Sequence, residues 1–221
     1  MTPRHLAELA GRKALQVLGF CHAVREDGVG DGTIVLLGPR EPGFWAYVQQ
    51  ATEFSDGEDD PLDRWSNRVI SEMAEEIEAT PLFPFGTPAR PFISWALRSG
   101  RAWASPVGLL VHEEAGLLVS YRGALLLPDM LSIDAGKDRP CDTCQKKPCL
   151  DACPASALSR TGYDLNSCHG FLDTHDGASC LEAGCIVRRA CPVSQSYPRD
   201  PRQSAFHMAA FHPRATTGTK L

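Results

Sequence analysis

The chain lacks any apolar run near the roughly 20 residues that a membrane-spanning helix needs. Its first residues, Met1 to Phe20, scatter Arg, His, Glu and Lys instead of placing a basic patch before a continuous apolar stretch, which argues against a secretory signal. An excess of basic charge is also missing, because the formal net charge of the 221 residues is −5. That balance gives no strong attraction to nucleic acid or to a membrane surface. The sequence therefore predicts a cytoplasmic protein without a membrane or nucleic-acid partner.

Internal repeats, low-complexity segments and a glycine-rich dinucleotide fingerprint are absent too. Nothing in the chain therefore predicts a Rossmann-type nucleotide site, although a bound flavin stays an open alternative. The hydrophobic fraction of 43% is ordinary for a packed globular protein. The length allows one large domain, or a large and a small one.

The first two-thirds of the chain carries helical and strand patterns together, which predicts the α+β class with a mixed, partly antiparallel sheet. Thr33–Pro39 is a short apolar run bounded by turn residues, as in a buried strand. Helices are predicted over residues 41–50, from Pro61 onward along an apolar stripe, and over Phe92–Arg98. The acidic run from Glu53 to Asp60 is predicted to be a solvated loop.

Other local predictions rest on spacing. A helix is predicted from Pro3 to Gly19, with the isolated Cys21 just beyond it as a small buried hydrophobe. Two apolar segments, 107–112 and 117–121, flank a turn and predict a β-hairpin, followed by a strand at Ala124–Leu127.

The composition changes between Ser132 and Pro140, and apolar periodicity largely ends after Cys141. A segment so poor in aliphatic residues cannot build much of a hydrophobic core. The predicted division is a domain over residues 1–135 and a small cysteine-rich domain with a C-terminal tail over 136–221.

Eight of the nine cysteines lie in that second part. Nine cysteines without a secretory signal indicate a reducing compartment, where cysteines serve as thiolate ligands and do not form disulfides. Two of the eight, Cys153 and Cys191, are followed directly by proline, as in the bacterial ferredoxin pattern, where the cysteine before proline reaches the other cluster. We therefore predict two 4Fe–4S clusters. The predicted ligands are Cys141, Cys144, Cys149 and Cys191 for one, and Cys153, Cys168, Cys180 and Cys185 for the other.

The spacing departs from the common ferredoxin run, with two, four and three residues between the cysteines from Cys141 to Cys153. The partition between the clusters therefore stays open. A closed zinc site of four cysteines is the main alternative. His169, adjacent to Cys168, is interpreted as a neighbour of the ligands and not as a ligand.

Two sets of residues carry a family resemblance. The run Cys141 to Pro154, followed by Tyr163-Asp164 and Cys168 to Leu172, resembles the ferredoxin-like part of epoxyqueuosine reductases and reductive dehalogenases. The stretch from Gly108 to Pro128 resembles cobalamin-processing CblC proteins, whose fold is flavin-reductase-like. The resemblance implies two 4Fe–4S clusters coupled to a cobalamin.

The same resemblance implies that Arg122 contacts a cofactor or a thiol cosubstrate, whereas an arginine that pairs a carboxylate at a strand end is the alternative. It implies no catalytic residue that can be matched here. The predicted function is electron transfer or reduction, with single electrons passing from the clusters to a cobalamin or similar acceptor in the first domain. A cobalamin-processing chaperone and a structural zinc or iron–sulfur protein are the alternatives, and the electron donor is unknown.

Overall fold

The computed structural model describes residues 1–134 and 136–212 of the chain. Two compact units make up the chain. The first unit comprises Met1–Trp103 and Val119–Arg139, and the second comprises Ala104–Leu118 and the chain from Pro140 onward. The predicted α+β class is confirmed, because both helices and antiparallel strands are present. The end of the predicted tail, residues 213–221, lies outside the described residues.

The helices and strands follow one another in chain order. Up to residue 139 they are α1 (Pro3–Arg12), β1 (Leu15–His22), β2 (Thr33–Pro39), α2 (Phe44–Val48), α3 (Pro61–Glu76), β3 (Thr80–Leu82), α4 (Phe92–Arg98), β4 (Ala102–Ala104), β5 (Leu110–His112) and β6 (Gly123–Leu127). After residue 139 they are α5 (Pro140–Thr143), β7 (Leu158–Ser159), β8 (Gly162–Tyr163), α6 (Leu165–Leu172), α7 (Ala178–Ala183), α8 (Ile186–Ala190), α9 (Pro192–Ser196) and α10 (Pro201–Phe211).

A four-stranded antiparallel sheet with the order β1-β2-β6-β3 forms the centre of the first unit. Every residue of β2 and β6 is buried, as predicted for the apolar runs at Thr33–Pro39 and Ala124–Leu127. Both faces of a strand in the middle of this sheet are covered, so the apolar residues of such a strand form a continuous run. Pro81 lies in β3 at the edge of the sheet, where a residue without an N–H group is tolerated.

The predicted helices at α3 and α4 are confirmed, and α2 is shorter than the predicted span. The stripe of α3 is buried as its spacing predicts, and the ring of Trp65 meets that of Phe44 edge-on at 5.5 Å. The solvated-loop prediction is wrong for Glu53, which is 7% exposed. Arg68 binds both carboxylate oxygens of Glu53, so the buried charge is paired.

The prediction of one helix from Pro3 to Gly19 is wrong beyond Arg12. Ala14 adopts a left-handed conformation with φ of 53°, which ends the helical path, and β1 begins at Leu15. The helical spacing of apolar residues continues by chance into β1. Pairing of that strand with β2 through seven residue pairs outweighs the local helix preference.

The predicted hairpin around Glu113 is wrong as well. Among the described residues only β5 and a single bridge between His112 and Gly116 form there. The strand expected from Leu117 is absent because the backbone N–H of Leu117 donates to Ser194 Oγ at 2.8 Å, not to a neighbouring strand. Its carbonyl accepts from Arg188 Nη1 at 2.6 Å. Side chains of the second unit therefore satisfy this backbone.

The second unit consists mainly of short helices joined by loops. Its buried apolar residues are few, and three of them are cysteines: Val107, Val111, Ala115, Leu117, Cys149, Ala157, Leu158, Leu172, Cys180, Val187 and Cys191. Helices this short gain little stability by themselves. None of the helices in the part of the chain that the structure describes is long and apolar enough to cross a membrane.

Candidate functional site

Four of the predicted ligands surround one cavity in the second unit. The cavity has a volume of about 420 Å³, and its lining includes Cys141, Cys144, Cys149 and Cys191. These are the four cysteines that the ferredoxin pattern assigns to one cluster. They come from opposite ends of the cysteine-rich segment, so the fold brings together residues separated by up to 50 positions.

Local backbone features place three of these four thiols. Cys141 lies in α5, which begins at a proline. Lys147 has a left-handed conformation with φ of 42°, and the chain then turns into a short 3-10 helix that carries Cys149. Cys191 is extended and precedes α9, whose first residue is Pro192. The proline after this cysteine thus starts a helix, whose first two residues, Pro192 and Val193, also line the cavity.

The thiols of this group interact electrostatically. Burial raises the pKa of Cys149, and its neighbours Cys141, Cys191 and Cys144 raise it further. Several thiolates of like charge close together are unfavourable without a compensating cation. A cluster or metal that takes up thiolate charge removes this repulsion and displaces the protons.

One wall of the cavity comes from the segment Ala104–Leu118, which sequence reasoning places in a hairpin of the first domain. Ser105, Val111 and Leu117 line the cavity and are buried. Gly116 lies against Ser194, where a Cβ atom would be 2.5 Å from the backbone nitrogen. The sequence carries little signal for this wall, because the contact joins residues far apart in the chain.

The other four predicted ligands also interact with one another. Burial raises the pKa of Cys168, and Cys185 and Cys153 add to the increase. Burial likewise raises the pKa of Cys180, with contributions from Cys185 and Cys168. The structure thus brings together this second group of cysteines, again drawn from separate elements.

Hydrogen-bond donors point at the sulfurs of the second group. The hydroxyl of Tyr163 donates to Cys168 Sγ at 3.2 Å, and the backbone N–H of Ala157 donates to Cys153 Sγ at 3.3 Å. A backbone hydrogen bond from Ile186 lowers the pKa of Cys180 against the effect of burial. Donors of this kind stabilise thiolate charge.

Two arginines add positive charge beside these cysteines. Burial lowers the pKa of Arg188, while the nearby Cys185 and Tyr163 oppose that effect. Arg189 donates to the carbonyls of Gly184 and Ser179. The positive charge of Arg189 lowers the pKa of Cys180, against the effect of burial. The electrostatic surroundings of the second group therefore favour added negative charge.

His169 is part of a chain of polar contacts and not of the cysteine group itself. Its Nδ1 lies 2.9 Å from Nδ1 of His212, whose Nε2 lies 2.9 Å from Asp173 Oδ1. His212 is 8% exposed, so this contact holds the end of α10 against α6.

The remaining two candidates lie in the first unit. Cys21 is buried in β1, as predicted, and burial raises its pKa to about 11. Arg122 donates to Asp63 Oδ1 at 3.2 Å and to the carbonyl of Tyr121 at 3.1 Å. Its side chain is 11% exposed. This is the carboxylate pairing at a strand end that sequence analysis offers as the alternative, and the cofactor contact stays a prediction.

The chemistry of the cysteine groups fits iron–sulfur clusters. Each iron of a cluster binds its own thiolate, so the ligands stand farther apart than those of one ion. In the described ranges, 1–134 and 136–212, no three His, Cys, Asp or Glu side chains are grouped in a way that would hold a single metal ion. The first group surrounds a cavity with room for a larger cofactor.

No protein-family model matches the chain. In a 95-residue alignment, the chain is 32% identical to the ferredoxin-type protein NapG of Haemophilus influenzae. Over those residues the chain is similar to a ferredoxin-type protein. The alignment covers 37% of this chain and 34% of NapG, so the chain matches about a third of the length of that relative.

The fold is similar to that of a solved epoxyqueuosine reductase from Streptococcus thermophilus, with a TM-score of 0.52 and 18% sequence identity. The similarity covers 91% of this chain and 69% of that one. At this level of identity the comparison establishes the fold alone. It agrees with the α+β class and with the resemblance of the cysteine-rich segment.

Proposed function

We propose that this chain is an iron–sulfur electron-transfer protein or reductase whose second unit binds two 4Fe–4S clusters. Cys141, Cys144, Cys149 and Cys191 would hold one cluster. Cys153, Cys168, Cys180 and Cys185 would hold the other. The clusters supply one-electron redox chemistry when bound, and the chain supplies thiolates and hydrogen bonds to them.

The arrangement of the first group carries this proposal. Four cysteines from both ends of the segment face one cavity of about 420 Å³. This cavity has room for a 4Fe–4S cluster, which is larger than the single ion that four thiolates bind in a structural zinc site. The donor set therefore suits a cluster better than zinc, and likeness to a ferredoxin-type protein supports the same choice.

Iron and acid-labile sulfide analysis after anaerobic purification tests the proposal. Two 4Fe–4S clusters predict about eight irons and eight sulfides in each chain. Dithionite should bleach the visible absorption of the clusters and produce the EPR signal of the reduced form. One or two zinc ions with no sulfide, and a spectrum unchanged by dithionite, would instead support the structural-metal alternative.

The acceptor is proposed to be a cobalamin or similar cofactor that associates with the first unit. The support is the fold shared with an epoxyqueuosine reductase, together with the CblC resemblance from Gly108 to Pro128. Titration of the cluster-loaded protein with cobalamin should shift the cobalamin absorption bands. An unchanged spectrum at saturating protein contradicts the cobalamin acceptor but leaves the clusters untouched.

The same titration separates a reductase from a cobalamin-processing chaperone. A chaperone would bind a cobalamin that carries an upper ligand and release that ligand once the clusters are reduced. A reductase would bind the cofactor and keep it through many turnovers.

Arg122→Met probes the contact implied for the thiol cosubstrate, with tryptophan fluorescence as a check that the first unit remains folded.

A further inference from the structure

Tyr163 is held in place by the backbone around it. It ends β8, which pairs with β7 through Leu158 and Ser159. The next residue, Asp164, donates its N–H to the carbonyl of Ala157 at 2.8 Å, and its side chain caps α6. The position of the Tyr163 side chain relative to α6, which carries Cys168, is therefore fixed from both sides.

The ring of Tyr163 is also held. It stacks on Phe211 of α10 with the ring centroids 6.4 Å apart and the planes 13° from parallel. Phe211 in turn packs against His169 at 4.8 Å. Tyr163 is 40% exposed, so its hydrogen bond competes with water, and the stacked ring keeps the hydroxyl aimed at the sulfur.

The phenol can only donate in this contact. A phenol holds its proton near neutral pH, and a cluster-ligating thiolate carries none, so the hydroxyl is the donor. The distance of 3.2 Å between the oxygen and Cys168 Sγ suits an O–H···S hydrogen bond. When a cluster takes up an electron, the negative charge on its ligand sulfurs grows, and a donor to such a sulfur binds more strongly.

We propose that Tyr163 raises the reduction potential of the cluster held by Cys153, Cys168, Cys180 and Cys185 through its hydrogen bond to Cys168 Sγ. This inference rests on the proposed function, since it requires the cluster. Tyr163 acts through the ligand Cys168, so it is a positioning and tuning residue, not a catalytic one. The nearby charges of Arg188 and Arg189 act in the same direction on the same cysteine group.

An EPR-monitored potentiometric titration of the cluster-loaded protein tests this inference. In Tyr163→Phe, which keeps the stacked ring, one of the two midpoint potentials should become more negative. An equilibrium constant for reduction about tenfold smaller corresponds to about 59 mV for one electron. The other midpoint, and the iron and sulfide content, should equal those of the wild type. Tyr47→Phe removes the same hydroxyl from the first unit and should leave both midpoints unchanged.

A second substitution acts in the opposite direction. Replacing Tyr163 by 3-fluorotyrosine makes the phenol a stronger donor, so the same midpoint should become more positive. This variant keeps the hydroxyl and decides the question even if Tyr163→Phe loses its cluster. Unchanged midpoints in the fluorinated variant, with full clusters, overturn the inference and leave the proposed function standing. A wild-type protein without iron and sulfide overturns the proposed function itself.

Discussion

At the scale of single residues, two of the eight predicted ligands carry the strongest sequence signal, one in each cysteine group. Cys153 and Cys191 are recognisable because proline follows each. Their exchange between the groups is a prediction from the ferredoxin pattern, and the shared cavity of Cys149 and Cys191 supports one half of it. The partition can be tested by combining substitutions.

We expect Cys149→Ala, Cys191→Ala and the double variant to retain the same number of irons, about four in each chain. Both residues would serve one cluster, so removing the second ligand causes no further loss of iron. Iron and sulfide analysis measures the outcome. Cys21→Ala is the control and should keep all the iron, because Cys21 lies in β1 of the first unit. A double variant without iron would show that the two residues serve different clusters.

A second prediction at this scale concerns the ion pair between the buried Glu53 and Arg68, whose side chain is 46% exposed. Nε and Nη2 of Arg68 donate to the carboxylate at 2.6 and 3.1 Å. These hydrogen bonds hold the pKa of Glu53 below its usual value, although burial opposes them. Because the folded-state pKa is lowered, the pair stabilises the fold fully above the unfolded pKa of about 4.3 and loses that effect as pH falls through the folded-state value.

We expect Glu53→Gln to reduce the free energy of unfolding near neutral pH by about 1–3 kcal/mol. The difference in the free energy of unfolding between the variant and the wild type should become smaller in acid. There, Glu53 of the wild type is protonated in both the folded and the unfolded state. Urea unfolding followed by tryptophan fluorescence measures this difference, since all four tryptophans lie in the first unit. Glu8→Gln, which breaks only the exposed pair with Arg4, should change little at either pH. A difference for Glu53→Gln that does not depend on pH would contradict the argument.

At the scale of elements, the segment Ala104–Leu118 shows where local patterns mislead. Its two apolar stretches flank a turn, as in a hairpin. However, the backbone of Leu117 forms hydrogen bonds with the side chains of Ser194 and Arg188. Gly116 allows this close approach, because its φ is +57° and a Cβ atom would meet the backbone of Ser194. Only a glycine fits both the conformation and the space.

We expect Gly116→Ala to destabilise the second unit more than Gly108→Ala does. Both glycines have positive φ, so each substitution costs about 1 kcal/mol for the backbone conformation. Gly108 has no atom within 4 Å of the added carbon, whereas the clash at Gly116 adds roughly 1–3 kcal/mol. Loss of visible cluster absorption in denaturant measures the stability of this unit. Equal unfolding midpoints in denaturant for the two variants would show that the contact with Ser194 does not stabilise the second unit.

At the scale of the whole molecule, the two units rely on different sources of stability. The first has a sheet with two fully buried strands and helices with apolar stripes. The second buries few apolar residues, and several of those are cysteines. Ligand binding supplies folding free energy where a hydrophobic core is small.

We therefore expect removal of the clusters, by chelation under oxidising conditions, to unfold the second unit selectively. Limited proteolysis should cut the cluster-free protein within residues 104–118 and after residue 139, and tryptophan fluorescence should report an unchanged first unit. The cluster-loaded protein treated with the same protease is the control. Protection of the cysteine-rich segment without iron would mean that packing alone holds it.

The sequence by itself predicts the ligand chemistry of this protein more completely than its shape. Eight cysteines, two of them before proline, predict the ligand set, because a ligand is a property of residue type and spacing. Strongly periodic or continuous apolar segments predict α3, α4, β2 and β6, since burial of one stripe or of a whole strand leaves a local pattern. Only the tertiary structure decided that β1 replaces the end of the first helix and that residues 104–118 form a wall of the cysteine cavity. Both outcomes depend on hydrogen bonds and packing between distant segments, and the order of residues along the chain does not record these contacts.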